Sequence, residues 1–446
     1  LLLDWVILIN TAYKMDDLFL RIRYFPMVAH YMTVFFLAAL ALSTTLQLWL
    51  GVRHMRHVSL RRGEVPADFS AHITLADHQR AADYTLAKGR LGLIEIVIGA
   101  LLLLVFTMGG LLQAMDAGLR VWLGAGYLHD LALFASFALV GFVIGLPMSL
   151  YRTFWLEAAF GFNKITPQLW LADLLKASVL SVVVGAPLLL AVLWLMQMMG
   201  AHWWFYVWPF WMSFNLLVLV LYPTVIAPLF NKFSPLSDIA LKDRIEGLLK
   251  RCGFASSGLF VMDGSKRSAH GNAYFTGFGR AKRIVFFDTL LEKLAPPEIE
   301  AVLAHELGHY HHHHVLKRIA LLAVMSFGML WLLGQMIDQP WFYEGLNVGA
   351  GDTATTAHTA LALLLFSMVL PVFLFPLAPL TSALSRLDEY AADAYAAKQT
   401  AAKDLVAALV KLYRDNAATL TPDPLYSLFH DSHPPASQRI SRLQSL

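Results

Sequence analysis

Cysteine is almost absent from this chain. Cys252 is the only one among 446 residues, which excludes an intramolecular disulfide and any metal site built from several thiolates. A metal would have to be bound by histidine, aspartate or glutamate. Charged residues are also scarce, at 15% of the chain, and the net charge of +3 gives no reason to expect nucleic acid as a partner.

Apolar residues dominate instead, at 58% of the chain. A helix needs about 20 apolar residues to cross a hydrocarbon core of about 30 Å. Seven stretches meet this length, near residues 29–51, 91–113, 130–150, 175–199, 203–228, 318–337 and 357–382. We therefore expect an all-α, polytopic integral membrane protein in contact with the lipid bilayer. No feature of the sequence indicates an oligomeric state.

Lysine and arginine are distributed unevenly between the loops. Each loop is numbered by the predicted span that it follows. The even-numbered loops hold almost no lysine or arginine, and residues 338–356 have none at all. The first loop carries seven, at Arg53, Arg56, Arg61, Arg62, Arg80, Lys88 and Arg90. Positive residues stay on the cytoplasmic side, so the odd-numbered loops and the C-terminus should face the cytoplasm, in a bacterial inner membrane or an endoplasmic-reticulum-type membrane.

The spans divide the chain into four parts. Residues 1–228 are an N-terminal membrane region with spans one to five, and residues 318–382 are a hairpin of spans six and seven. Between and after them lie two polar segments, 229–317 and 383–446. The topology places both segments on the same face, so they can share a site.

Six histidines lie within ten residues of the first polar segment, at His305, His309 and His311 to His314. Residues four apart on a helix share a face, which allows either His305 with His309 or His309 with His313 to bind one ion. Only in the first pair is the first histidine followed directly by a carboxylate, that of Glu306, which can take a proton from activated water. The resulting H-E-x-x-H pattern is typical of a metalloprotease helix, although five residues also match by chance.

A catalytic zinc site usually has three protein ligands, so a third should come from another element. "SRLDEYAADAYAAKQ", from Ser385, offers Glu389 and Asp393 one helical turn apart. The alternative is a charged surface helix. Glu389 follows His309 by 80 residues, which is enough for a two-span hairpin to return the chain to the same side.

At these residues the chain resembles the type I CaaX prenyl protease family, integral-membrane zinc metalloproteases of the gluzincin kind. The resemblance extends in order over most of the chain from about residue 140. It is carried by "YRTFWLEAAFGFNKITPQLWLADLLK" from Tyr151, "YPTVIAPLFNKFSPL" from Tyr222, "SKRSAHGNAYFTGFGRAKRIVFFDTLL" from Ser265, "SRLDEYAADAYA" from Ser385 and "YSLFHDSHPPASQRI" from Tyr426.

The resemblance implies a fold of about seven transmembrane helices forming a barrel around the site, with a small α+β zinc metalloprotease domain. It also implies one Zn²⁺ bound by His305, His309 and Glu389. Glu306 would be the general base, and Asp393 an acid that either orients a ligand or donates a proton. Residues 229–317 then carry the H-E-x-x-H helix, and residues 383–446 the third ligand.

Three further polar residues match family positions near the substrate. Asn272, in "HGNAYFTGF", lies on a predicted edge strand that an extended peptide could join. His433 could stabilise an oxyanion, and Arg439 could hold a carbonyl or carboxylate. Ordinary strand, capping or loop-tethering roles are the alternatives. His311 to His314 lack a neighbouring base, and we expect them to form a solvated or interfacial helix end.

The leading hypothesis is a membrane-embedded zinc endopeptidase that cuts peptide or protein substrates. It would cut CaaX-type, prenylated proteins near their C-termini, or cut other membrane-associated proteins. One alternative is a quality-control protease for misfolded membrane proteins without prenyl specificity. From a different class, a zinc transporter or metal sensor would explain the histidine run but leave Glu306 and Glu389 as coincidences; an inactive scaffold is disfavoured because no catalytic position is missing.

Overall fold

The structure is a computed structural model that describes residues 2–276, 283–349 and 359–446. Within these ranges, seven helices are long and apolar enough to cross a membrane, which confirms the predicted number of spans. They are formed by α1 (Leu2–Leu60), α2 (Leu75–Phe106), α4 (Tyr127–Tyr151), α6 (Pro167–Met198), α7 (Trp203–Leu221), α12 (His314–Met336), and α14 (Thr359–Leu374) with α15 (Ala378–Gln399). Short π-helical turns at Arg152–Leu156 and Tyr222–Ile226 extend α4 and α7.

Several helices extend beyond the apolar stretches that predicted them. The second predicted span starts at residue 91, but α2 starts at Leu75, where the Thr74 hydroxyl accepts a hydrogen bond from the Asp77 amide and caps the helix. Likewise, the predicted boundary at residue 383 falls inside α15, which continues from the seventh span into the polar segment. Hydropathy detects only the lipid-facing length of a helix, so its polar extension is missed.

The remaining helices are shorter. They are α3 (Leu111–Leu123), α5 (Glu157–Ala159), α8 (Ala227–Phe230), α9 (Ile239–Arg251), α10 (Asp288–Lys293), α11 (Pro296–His311), α13 (Pro340–Glu344), α16 (Ala402–Asp415), α17 (Pro424–His430) and α18 (Ala436–Gln444).

One small sheet accompanies the helices outside the membrane. Its strands are β1 (Phe233–Pro235), β2 (Leu259–Met262), β3 (Ala273–Thr276) and β4 (Arg283–Phe287), in the order β1-β2-β4-β3. β2 and β4 are parallel, whereas the outer strands pair antiparallel to them. β3 is therefore an edge strand of the sheet, as predicted, and it packs beside α11.

Two large apolar cores and two smaller clusters lie within the described residues. The two large cores position the site. One lies between the membrane helices, around Phe36, Leu133 and Leu365. The other joins the sheet to α9, α11 and α16, around Ile284 and Leu303. α15 continues the seventh span and packs into the second core, so one helix joins the membrane region to the polar segment.

Candidate metal centre

Helix α11 begins at Pro296. In its first turn, the Glu298 carboxylate accepts a hydrogen bond of 2.7 Å from the Ala295 amide, which satisfies a helix-terminal donor. Ile299, Leu303 and Leu307 are each almost fully buried against the second core. With this face fixed inward, the histidines of the H-E-x-x-H pattern are presented to α15.

Helix α15 approaches α11 closely at one position. A Cβ atom on Gly308 would lie 2.8 Å from the Cα atom of Ala392, which is shorter than van der Waals contact. Glycine at 308 thus permits the approach. The contact sets Glu389, one turn earlier on α15, opposite the two histidines.

The three predicted ligands converge. Nε2 of His305 and Nε2 of His309 lie 3.2 Å apart, and these two atoms lie 3.3 and 3.4 Å from the carboxylate oxygens of Glu389. Among the described residues this is the one group of three or more side chains suited to hold a metal ion. For metal–ligand bonds of about 2.0 to 2.2 Å, neighbouring ligand atoms of a tetrahedral site lie about 3.3 to 3.6 Å apart. The spacing therefore fits a metal.

We call His305, His309 and Glu389 the triad. The hydrogen bonds around the triad also fit a bound cation. Nδ1 of His305 lies 2.9 Å from Oδ1 of Asp393, and because a carboxylate only accepts, Nδ1 keeps its proton and Nε2 is the nitrogen that can bind either a metal or a second proton. Oε2 of Glu389 is buried and makes no hydrogen bond within the described residues. Electron pairs that face one another in this way need a positive charge between them.

The charge around His305 also affects its proton. Burial lowers the pKa of this imidazole, but hydrogen bonds to Asp393 and Glu389 raise it more, to about 9. In the metal-free protein at neutral pH, the ring therefore carries a proton where a metal would bind.

Asp393 and Arg439 form a buried pair behind His305. The side chains are 2% and 6% exposed, and the guanidinium donates from Nε and Nη2 to the two carboxylate oxygens at 2.8 and 2.6 Å. This two-point contact fixes the carboxylate that orients His305. Arg439 is thus occupied by a protein carboxylate, whereas the sequence suggested a contact with substrate.

Glu306 lies one residue beyond His305 and is only partly exposed. Burial raises the pKa of its carboxyl group. Within the described parts of the chain it makes no hydrogen bond or ion pair with another side chain. A carboxylate with raised pKa and free oxygens is suited to accept a proton near neutral pH.

The remaining two predicted site residues lie farther out. Nε2 of His433 is 3.3 Å from Oε1 of Glu389, and its side chain is 59% exposed, at the open side of the triad. Asn272 is exposed at the start of β3, where its Oδ1 accepts a hydrogen bond of 2.8 Å from the Ala273 amide. No hydrogen bond in the described residues joins Asn272 to the triad.

The expectation of a solvated histidine run is wrong for one residue. His311 and His313 are exposed and His312 is half-buried, but His314 is 2% exposed and contacts His309 and Asp388. Residue spacing did not predict the contact between His314 and His309, because His314 follows His309 by five residues and would lie on another face of a continuous helix. Asp388 was also missed, although it directly precedes Glu389.

The comparisons with known proteins agree with this arrangement. A family model of the N-terminal domain of CAAX prenyl proteases, with five membrane helices, matches residues 54–232, and one of peptidase family M48 matches residues 235–446. The CAAX prenyl protease 1 homolog of Arabidopsis thaliana is 38% identical over 70% of this chain and 73% of its own length. The Homo sapiens homolog is 30% identical over 92% and 95%.

A solved structure is similar over nearly the whole chain. The crystal structure of S. mikatae Ste24p superimposes with a TM-score of 0.86 at 30% identity, covering 92% of this chain and 99% of that one. The resemblance inferred from the sequence is confirmed, and it favours the peptidase over the transporter and the scaffold. The chain belongs to the CAAX prenyl protease 1 family of integral membrane metalloendopeptidases.

Proposed function

We propose that this protein is a zinc-dependent endopeptidase whose metal is held by His305, His309 and Glu389. The observation that carries the proposal is the convergence of one ligand atom from each of them, at separations of 3.2 to 3.4 Å. Two imidazoles and one carboxylate form a ligand set typical of catalytic zinc, with a further position left for water or substrate. Bound there, zinc would polarise the scissile carbonyl and make a water molecule acidic enough to ionise near pH 7.

Glu306 is the proposed general base. Its carboxylate takes a proton from the attacking water as the C–O bond forms, and then delivers that proton to the amine nitrogen as the C–N bond breaks. The raised pKa of Glu306 supports both steps, because the group must gain and lose a proton at the same pH.

Asp393 and Arg439 are proposed to hold His305 in position. Asp393 accepts the Nδ1 proton of His305, and Arg439 keeps Asp393 charged and fixed. We therefore propose a positioning role for Arg439 in place of substrate contact. His433, exposed beside Glu389, is the proposed donor to the oxyanion that forms on the substrate carbonyl.

The edge strand β3 is the proposed platform for the substrate backbone. The Phe287 amide donates to the carbonyl of Asn272, so by antiparallel alternation the amides and carbonyls of residues 273 and 275 point away from β4. The Ala273 amide already donates to Oδ1 of Asn272, which leaves the Phe275 amide and the two carbonyls for a partner. Such free edge groups can pair with an extended peptide. Asn272 lies at the start of this edge, where its amide can hold the peptide in register.

We propose CaaX-type, prenylated proteins as substrates. The support is the identity of the similar proteins, which are CAAX prenyl proteases from plants, yeast and mammals. The site lies next to membrane helices, since α15 carries Glu389 directly from the seventh span. A lipid-modified C-terminus would approach from that side.

The site is proposed to face the cytoplasm. Arg53 binds Asp423 of the C-terminal segment at 3.0 Å, so the basic first loop lies at the end of the molecule that carries the metal centre. Arg120 is the one lysine or arginine in the sequence between Arg90 and Arg152, in the connection at the opposite end. This asymmetry follows the positive-inside rule.

Glu306→Gln tests the peptidase mechanism. The variant should retain bound zinc, measured by elemental analysis of the purified protein, but lose peptide hydrolysis by a factor of 100 or more, in the range of about 10² to 10⁴ for general bases. Glu292→Gln, at an exposed site on α10, is the matched control and should keep full activity. Full hydrolysis by Glu306→Gln would refute the mechanism.

Paired peptides test the substrate. Prenylated and unprenylated CaaX peptides of the same sequence are incubated with the purified protein, and the cleavage sites are read by mass spectrometry. Faster turnover of the prenylated peptide, cut on the C-terminal side of the modified cysteine, supports the proposal. Equal turnover would refute prenyl specificity and favour a general quality-control protease.

A further inference from the structure

His314 stands apart from the other members of the histidine run. It is 2% exposed, whereas its neighbour His313 is exposed to solvent. A buried imidazole needs partners for both ring nitrogens, and His314 has two. Its Nδ1 lies 2.9 Å from Nδ1 of His309, and its Nε2 lies 3.2 Å from Oδ1 of Asp388.

A break between two helices places His314 against His309. On a continuous helix a residue five positions later is rotated by about 140°, so the two rings would not meet. Here α11 ends at His311, and α12 begins at His314. His313 between them has a φ of 55°, in the left-handed region that non-glycine residues rarely adopt. This turn directs the His314 ring back to the metal centre.

The contacts define which nitrogen carries each proton. The Asp388 carboxylate only accepts, so Nε2 of His314 donates to it and Nδ1 of His314 is left as an acceptor. Nδ1 of His309 then donates to Nδ1 of His314. As a result, Nε2 of His309 has a free lone pair, and this is the atom that faces His305 and Glu389.

The two histidine ligands are therefore supported in different ways. His305 donates directly to the carboxylate of Asp393. His309 reaches a carboxylate only through another imidazole, and Asp388 and Asp393 lie on the same helix, α15. The other titratable groups near His314 are His312, whose ring is stacked on it at 5.5 Å, Lys317, and Arg318, which lies 4.0 Å from Asp388. None of these three makes a hydrogen bond or ion pair with His309 within the described residues.

We infer that His314 is a positioning residue, held by Asp388, that fixes the ring orientation and the tautomer of the metal ligand His309. The inference rests on the proposed metal site. Partners of this kind typically change metal affinity by about 10- to 100-fold when they are removed.

Zinc affinity of the metal-free protein tests this inference. Purified full-length protein in detergent is stripped of metal, and the Kd for Zn²⁺ is measured by competition with a chromophoric chelator. His314→Phe, which removes both hydrogen bonds, should weaken binding by about 10- to 100-fold. The control is His311→Asn, at an exposed position of the same run, which should bind as wild type.

Two amide variants separate hydrogen bonding from packing. In His314→Asn the side-chain oxygen takes the place of Nδ1 and can still accept from His309, so the Kd should stay within about threefold of wild type. In His314→Gln the amide reaches toward Asp388 instead, and binding should weaken as in His314→Phe. Binding of Co²⁺ adds a spectroscopic signature, since its visible bands should change in His314→Gln but not in His314→Asn.

The outcomes are distinct. Wild-type affinity in His314→Phe, or binding by His314→Gln as tight as by His314→Asn, would overturn the inference. The Asn and Gln comparison keeps the test valid if His314→Phe does not fold. If wild-type protein itself binds no zinc, the proposed metal site fails, and this result differs from wild-type binding that is insensitive to position 314.

Discussion

Gly308 and Ala392 bring the two helices of the proposed metal centre, α11 and α15, into contact. A Cβ atom at position 308 would lie 2.8 Å from the Cα and 3.0 Å from the carbonyl oxygen of Ala392. Both of these are backbone atoms, which cannot rotate away as a side chain can. The distance between the histidine pair and Glu389 therefore depends on the absence of a Cβ atom at position 308.

Gly308→Ala should push the two helices apart. We expect a loss of stability of about 1 to 3 kcal/mol, as for other overpacked sites, together with weaker zinc binding. Thermal unfolding and zinc titration measure the two effects. The control is Gly328→Ala in α12, where a Cβ would have open space, and it should be neutral or slightly stabilising. Equal behaviour of the two variants would contradict the role given to the contact.

Removal of the metal should destabilise the protein. A ligand that binds only the folded state adds about 4 kcal/mol at a concentration 1,000 times its Kd. Chelation should therefore lower the unfolding temperature, and added zinc should restore it. Glu389→Ala lacks the third ligand, so its unfolding temperature should respond much less to zinc. A response as large as that of wild type would argue against Glu389 as a ligand.

Zinc binding should strengthen as the pH rises toward 9. The pKa of His305 in the metal-free protein is raised from 6.5 to about 9, so between pH 7 and 9 each bound zinc displaces one proton from this ring. Apparent affinity should increase about tenfold per pH unit and level off above pH 9. The zinc Kd measured at several pH values checks this.

The same pKa has the opposite effect on the metal-free protein. A pKa that is higher in the folded state stabilises the fold most below pH 6.5, and this stability is lost as the pH rises to about 9. Asp393→Asn removes a negative partner of His305, so both pH dependences should move to lower pH. A zinc Kd that is constant from pH 7 to 9 would contradict the assignment.

Asn272→Ala should raise KM about fivefold and leave kcat within about twofold, because a hydrogen bond lost equally in the bound and transition states costs about 1 kcal/mol of uniform binding. Steady-state kinetics on a CaaX peptide separates the two constants. Asn215→Ala in α7 is the control, since within the described residues its amide donates to the Trp211 carbonyl of its own helix. An unchanged KM in Asn272→Ala would contradict its role in aligning the peptide.

The orientation in the membrane can be tested with single cysteines. In a Cys252→Ser background, Trp122→Cys places a thiol at the end of α3, where Trp122 is 87% exposed, and Lys403→Cys places one at the start of α16. A membrane-impermeant maleimide applied to intact cells should label position 122 only. Position 403 should react after the membrane is opened. The reverse pattern would place the metal centre outside the cytoplasm.

The sequence by itself determined the parts of this protein that depend on local pattern. Apolar length is sufficient to predict seven spans, because a helix must match the bilayer. Spacing on one helix allows two histidine pairs, and the carboxylate of Glu306, directly after His305, favours His305 with His309. Glu389 could be proposed because a two-span hairpin must return the chain to its starting side.

Tertiary structure alone decided the contacts that join distant elements. Arg439 binds Asp393 because α18 packs on α15, and no local pattern encodes that pairing. His314 turns inward because of the left-handed residue at 313, which breaks the helical periodicity on which its predicted exposure relied. The two histidines of the proposed site can be predicted from spacing along one helix, but the residues that orient them depend on how separate helices pack.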